Sequence, residues 1–158
     1  MWGKFYIKKM SILINNKKAK FNYEILDTYE AGIVLSGIEV KSLKSGQGNL
    51  VGSYVIIRGN EAFLVEAEIP GYQKTNTPDS FEPRRPRKLL LNKKELLKLI
   101  EQENQKGLTL IPLSLYNKGR NIKLSFAVAR GKKTHDKRQT IRRREADREI
   151  NRTLKKSR

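Results

Sequence analysis

The chain has 158 residues, 37% of them hydrophobic, and a formal net charge of +18, which fits one domain with one modest core and a partner of dense negative charge. It has no cysteine and a single histidine, so disulfides, thiolate metal sites and the usual zinc ligand sets are excluded. No apolar run approaches the ~20 residues needed to span a bilayer.

The N-terminus, Met1 to Ile14, has the outline of a secretion signal, but Lys4, Lys8 and Lys9 interrupt it and no small-residue cleavage site follows. Met10 is a second candidate start, which would make residues 1–9 an upstream extension; we take 1–13 as an N-terminal extension. Phe21–Ile25 alternates at period two and Ile33–Leu35 is a short apolar run after the Glu30-Ala31-Gly32 turn, so both predict strands. Ile38–Leu43, between Gly37 and Gly46, predicts a short helix. Ser53–Arg58 and Glu61–Glu66 flank Gly59-Asn60, a Gly-first loop that predicts a hairpin with a type II′ turn.

Pro70 to Arg87 holds four of the five prolines and predicts a long loop. Asn92-Lys-Lys-Glu95 has the form of a capping box, with Leu96, Leu97 and Ile100 as the apolar face of a helix that Gly107 ends. Leu108–Leu115 predicts a strand in which Pro112 marks an edge or a bulge. After the turn at 117–121, Ile122, Leu124, Phe126 and Val128 alternate with Lys123, Ser125, Ala127 and Ala129, one face apolar and the other small or basic. About six short strands with two or three helices predict a mainly β fold, a small barrel of the oligonucleotide/oligosaccharide-binding (OB) type, over residues 14–130.

From Arg130 to the end there are thirteen Lys/Arg against four acidic residues, +9 of the chain's +18. Such a segment cannot bury enough apolar surface to offset the entropy of ordering, so residues 131–158 read as a basic C-terminal tail, disordered or loosely helical until a polyanion orders it. Ile141, Ala146, Ile150 and Leu154 form a sparse stripe at nearly helical spacing, and Arg142, Arg143 and Arg144 would project around such a helix rather than along one face.

Three segments go beyond composition: Tyr29–Leu43 (YEAGIVLSGIEVKSL), Arg87–Asn92 (RKLLLN) and Gly131–Arg138 (GKKTHDKR). In this order and spacing they closely resemble the small protein B family, the SsrA-binding proteins that partner bacterial transfer-messenger RNA (tmRNA), and the resemblance runs from about Ile14 to the end. It implies a non-enzymatic, monomeric, cytoplasmic RNA adaptor without cofactor or metal, whose OB-like barrel holds the tRNA-like domain of tmRNA. It further implies that alanyl-tmRNA with elongation factor Tu and GTP accompanies it to 70S ribosomes stalled on messages lacking a stop codon. There the tail becomes helical in the empty mRNA channel and decoding centre of the 30S subunit, beside 16S rRNA, and the unfinished peptide is tagged for degradation. Two departures from the family pattern are Asn117, where an aromatic residue commonly follows Leu115-Tyr116, and Ser125, where a second lysine often accompanies Lys123.

The resemblance assigns tmRNA binding to Glu30, Leu91 and Asn92, and the cations Lys20, Lys123, Arg130, Lys132 and Lys133, clustered at strand ends, join them as tmRNA-binding candidates that could neutralise phosphates. It assigns the decoding-centre tail to Gly131, His135, Asp136, Lys137, Arg138, Ile141, Arg142, Arg143 and Arg144. The residues themselves leave several roles open. Glu30 is either a solvated turn carboxylate or an acceptor for base edges or 2′-hydroxyls. Leu91 and Asn92 are accounted for by core and cap as well as by RNA contact. His135 is either an exposed arm residue or a ring stacked on a ribosomal base. The lysines and arginines are individually ordinary surface charges, credible as a phosphate-binding group, which Arg84, Arg85 and Arg87 would extend. The rival classes are a ribosomal or RNA-chaperone OB protein with a nonspecific basic tail, a nucleic-acid enzyme using Asp27, Glu30, Glu39, Glu66 and Glu68, and a membrane-surface protein. No D-x-D, H-E-x-x-H or glycine-rich phosphate loop supports the enzyme, and no strongly amphipathic helix supports the membrane protein.

Overall fold

A computed structural model describes residues 10–156; residues 1–9, and with them most of the expected N-terminal extension, lie outside the described residues. The strands are β1 (Met10–Asn15), β2 (Tyr23–Ile33), β3 (Tyr54–Arg58), β4 (Glu61–Val65), β5 (Arg87–Leu90), β6 (Leu108–Lys118) and β7 (Asn121–Gly131). The helices are α1 (Ala19–Asn22), α2 (Gly37–Lys44), α3 (Lys93–Glu103) and α4 (Thr134–Lys156).

Six strands close a ring in the order β6-β3-β4-β5-β2-β7, sealed by the antiparallel pairing of β7 back onto β6, while β1 lies along the free part of β6. Closure removes the exposed sheet edges that an open sheet would carry. The period-two pattern of β7 turns Leu124, Phe126 and Val128 inward, and they are almost wholly buried with Val55, Leu64, Leu89, Leu110 and Leu115. Inside the barrel Tyr29 stacks on Phe126 with ring centroids 5.7 Å apart, and its hydroxyl donates to Gln102 Oε1 on α3 at 3.0 Å.

Several expectations are corrected. The two short strands at 21–25 and 33–35 are one strand, β2, preceded by the helical turn α1 that takes in Phe21. Long pairing with β7 overrides the local turn signal, so Glu30 and Gly32 sit mid-strand opposite Ser125 and Lys123. The hairpin turn is type I′ rather than II′: Gly59 and Asn60 both have positive φ (58° and 61°), which asparagine tolerates better than most residues and which matches the twist of the strands. Pro112 marks a bulge, between Pro112 and Ser114, where β6 pairs with β7 on one side and lies between the β3 and β1 pairings on the other. The buried residue of α3 is Leu99, with Leu96 and Ile100 beside it, whereas Leu97 is 57% exposed. Spacing of three and four residues selects 96, 99 and 100 for one face. Asn92 caps α3 by accepting from the Glu95 backbone N–H at 2.8 Å, although the helix ends at Glu103, four residues short of Gly107.

The long loop of residues 70–86 is anchored by a buried ionic network that takes in Arg85 and Arg87, two of the arginines expected to extend the phosphate-binding group. Ser36 and Glu39 form the capping box of α2. Glu39, fully buried, also accepts from Arg87 Nε at 2.6 Å and from Arg85 Nη2. Arg87, equally buried, spends its other nitrogens on the carbonyls of Ala67 (2.6 Å) and Pro83 (2.8 Å). Burial alone would raise the Glu39 pKa, but hydrogen bonds from Arg85 and Ser36 and the charge of Arg87 outweigh it and hold the carboxyl below its ordinary value. Arg84 lies 3.8 Å from both Glu66 and Glu68. Arg87 is therefore inaccessible to RNA, whereas Arg84 and Arg85 keep part of their side chains exposed.

In the tail, Thr134–Lys156 form the helix α4. Helix α4 follows β7 after only Lys132 and Lys133, and its N-terminal side is tied to α1: Lys132 N donates to Asn22 O at 2.9 Å and Lys132 Nζ to Lys20 O at 2.9 Å. The guanidinium of Arg144 stands 5.7 Å from the centroid of the Phe21 ring, in cation–π range. Opposite charges one turn apart, as in Arg143/Asp147 and Glu149/Arg152, add small local support. Beyond that the helix buries little; Ile141, Ile150 and Leu154 are 41–59% exposed. Among the described residues no helix is long and apolar enough to cross a membrane.

Candidate nucleic-acid interface

The assigned barrel residues fall into two groups at opposite ends of β7. At the β7 C-terminal end, Arg130 is paired across to Glu24, and Lys20, Gly131, Lys132 and Lys133 gather where α1 meets the start of the tail. At the other end, Lys123 pairs with both Gly32 and Tyr116, and Gly32 pairs with Leu90, which brings β5 and the residues that follow it, Leu91 and Asn92, beside Glu30. Seven residues of extended chain separate Lys123 from Arg130, about 23 Å. Leu91 is half-buried against the core and Asn92 is exposed, so the cap described above faces solvent.

Glu30 is the best-organised polar group on this surface. Its outward position follows from β2 alternation, with Ala31 buried in the core. One carboxylate oxygen accepts from the Tyr116 hydroxyl and the other from Lys118 Nζ at 3.0 Å. These hydrogen bonds, foremost that from Tyr116, hold its carboxyl below the usual range despite partial burial. Burial and the Glu30 carboxylate together push the Tyr116 phenol well up, so it remains a donor. Sequence reading missed Tyr116 and Lys118; the signal was available only through register, since both face outward beside Lys123 on neighbouring strands. Asn117 Nδ2 reaches Ser11 Oγ at 3.5 Å, and Ser125 faces Glu30 across the strand pair.

On the tail, Lys137 is half-buried and Arg138, Ile141, Arg142, Arg143 and Arg144 are exposed; the side chains of His135 and Asp136 lie outside those described. The acids considered for metal-assisted hydrolysis are already engaged: Asp27 stands 3.6 Å from Lys98, Glu30 is held by Tyr116 and Lys118, and Glu39, Glu66 and Glu68 are paired with arginines. Among the described residues no group of three or more His, Cys, Asp or Glu is placed to hold a metal ion.

A closed small barrel with cationic clusters at both ends of one strand and a long basic helix leaving that strand has the form of an RNA-binding barrel protein. Comparison with known proteins makes the class particular. Residues 13–156 match the family model described as SmpB protein. An SsrA-binding protein of Gloeothece citriformis is 48% identical over 148 residues, covering 94% of this chain and 96% of the relative. That of Acidothermus cellulolyticus is 49% identical over 143 residues, covering 90% and 89%. A solved structure described as "tmRNA-SmpB: a journey to the center of the bacterial ribosome" superposes with a TM-score of 0.68 at 42% identity, covering 84% of this chain and 96% of that one. The chain belongs to the SmpB family.

Proposed function

We propose that this chain binds tmRNA and acts with it in trans-translation on stalled ribosomes, as an adaptor and not as an enzyme. What supports the reading is family membership over nearly the whole chain together with the arrangement around β7: phosphate-neutralising cations at both ends, and a basic helix continuous with one of them. The barrel residues Lys20, Glu30, Leu91, Asn92, Lys123, Arg130, Lys132 and Lys133 grip the tRNA-like domain, the lysines and arginine on phosphates and Glu30 and Asn92 on base edges or 2′-hydroxyls. Gly131 and residues 135–138 enter the decoding centre, and the helix bearing Ile141 and Arg142–Arg144 runs along the vacant message path, where phosphate on several sides suits arginines that radiate around it. Elongation factor Tu with GTP joins through the alanylated RNA, and the protein works as a monomer in the bacterial cytoplasm.

The test compares the full chain with one truncated after Arg130, binding each to the tRNA-like fragment of tmRNA and to an ordinary tRNA. Truncation should leave most of the tmRNA affinity and abolish peptide tagging on stalled ribosomes. Equal affinity for the two RNAs, or loss of all binding with the tail, would contradict the reading.

A further inference from the structure

Helix α2 and the turn at residues 72–77 are tied to one another and leave a cleft between them. Ser42 Oγ donates to the Pro70 carbonyl at 2.5 Å, and Arg85 and Arg87 hold the far end of the same loop to Glu39 of α2. Gly71 lets the turn close on itself, since a Cβ there would stand 2.5 Å from Thr77 Oγ1; that hydroxyl donates to the Gln73 carbonyl. The cleft has a volume of about 300 Å³, at the lower end of the range for small-ligand sites. Ile38 and Lys41, three residues apart and so on one face of α2, form one wall; Tyr72, Gln73, Asn76 and Thr77 form the other.

The groups left unspent in the cleft set its chemistry. Asn76 Nδ2 donates to Gln73 Oε1 at 2.6 Å, so the pair keeps the Gln73 amide N–H groups and the Asn76 carbonyl oxygen, a donor beside an acceptor. Exchanging O and N in both amides would leave the same two kinds of group. The Watson–Crick edge of every RNA base carries a donor next to an acceptor, so the pair can bond to a base without selecting it. Tyr72 is 42% exposed, an aromatic face open for stacking. Arg58, Arg84, Arg85 and Lys88 are each set against a carboxylate, whereas Lys41 is exposed and has no ion-pair partner among the described residues. An open ring, an amide edge and an uncommitted cation supply the three contacts that hold a nucleotide: stacking, base-edge hydrogen bonds and phosphate neutralisation. We propose that this cleft takes one nucleotide of single-stranded RNA, its base on Tyr72 and against Gln73 and Asn76, its phosphate on Lys41. None of these residues belongs to the set assigned to tmRNA or to the decoding centre, so the contact lies beyond the RNA-binding function proposed above and stands on its own residues.

The experiment records two-dimensional NMR spectra of the full chain, following the side-chain amide signals of Gln73 and Asn76, while a single-stranded RNA tetranucleotide, AMP or inorganic phosphate is added. The tetranucleotide should move both signals, and AMP, which brings fewer phosphates to the basic surface, should move them only at about tenfold higher concentration. Phosphate alone should leave them in place. Tyr72→Ala, an exposed change that does not threaten folding, should raise the half-saturating tetranucleotide concentration about tenfold, the loss of one stacked base. Lys41→Ala should lower the log–log salt slope of the same titration by about 0.7. Amide signals that stay still at tetranucleotide concentrations saturating the basic tail would overturn the proposal, and so would a titration unchanged in both variants. Either result leaves the adaptor function intact so long as the tRNA-like fragment of tmRNA still outcompetes ordinary tRNA. An equal response to AMP and the tetranucleotide would overturn RNA as the source of the nucleotide, and an equal response to phosphate would overturn any role for the base.

Discussion

Replacing Glu39 by alanine isolates the contribution of the buried network. The substitution removes the carboxylate bonded to Arg87 while leaving Arg87 Nη1 and Nη2 on the carbonyls of Ala67 and Pro83 at 2.6 and 2.8 Å. The guanidinium cannot reach water without breaking those bonds as well, so a fully buried cation is left without its bonded counter-charge. Breaking one side of such a pair costs about 3–5 kcal/mol, a large share of the roughly 5–15 kcal/mol that holds a domain folded. With a urea slope near 2 kcal/mol/M, the unfolding midpoint should fall by about 1.5–2.5 M. Adding Arg87→Met to Glu39→Ala should recover part of the loss, because two apolar groups replace an orphaned charge. The pH dependence has a definite sign. The folded Glu39 pKa is depressed, so its contribution is complete above the unfolded value near 4.3 and disappears as pH falls through the folded value. The gap between wild type and Glu39→Ala should therefore narrow below about pH 4. A loss under about 1 kcal/mol at pH 7, or a gap independent of pH, would show that the arginines do not depend on this carboxylate.

Leu99→Ala should cost about 2–5 kcal/mol by thermal or urea unfolding, whereas Leu97→Ala, one residue away but exposed, should stay within about 0.5 kcal/mol. Asn92→Ala removes the α3 cap and should cost about 1 kcal/mol; an affinity loss for tmRNA much larger than that would mark a direct contact. Lys123→Ala should lower the log–log salt slope of tmRNA binding by about 0.7–0.9, and no change in slope would remove Lys123 from the phosphate contacts. Phe21→Leu removes the ring beneath Arg144 and should reduce the helical circular dichroism signal of the free chain; an unchanged signal would mean the tail helix holds itself.

The parts of the fold that were legible in the sequence are those set by local chemistry: the β3–β4 hairpin around Gly59-Asn60, the Asn92 cap, the alternation of β7 and the bulge at Pro112. What stayed hidden depends on partners far along the chain. Pairing of β2 with β7 absorbs Glu30-Ala31-Gly32 into a strand, and no window around those residues contains β7. Arg87 shares the inward face of β5 with Leu89, and the capping-box spacing of Ser36 and Glu39 was present, yet nothing local joined an arginine to a helix N-terminus 48 residues away. In the candidate site, the charge of the tail was plain from composition, but the bond between Tyr116 and Glu30 spans 86 residues and exists only through strand register.

The strand that seals the barrel is also the strand from which the basic helix departs, with only two residues between them. β7 therefore acts as a ruler. Because it is hydrogen-bonded on both sides along most of its length, the separation between the Glu30 end and the root of the helix is fixed by residue count and not by a hinge. Inserting two residues into β7 would keep the inward and outward faces but lengthen that spacing by about 7 Å, so the reach between the two proposed RNA contacts is written into the length of one strand.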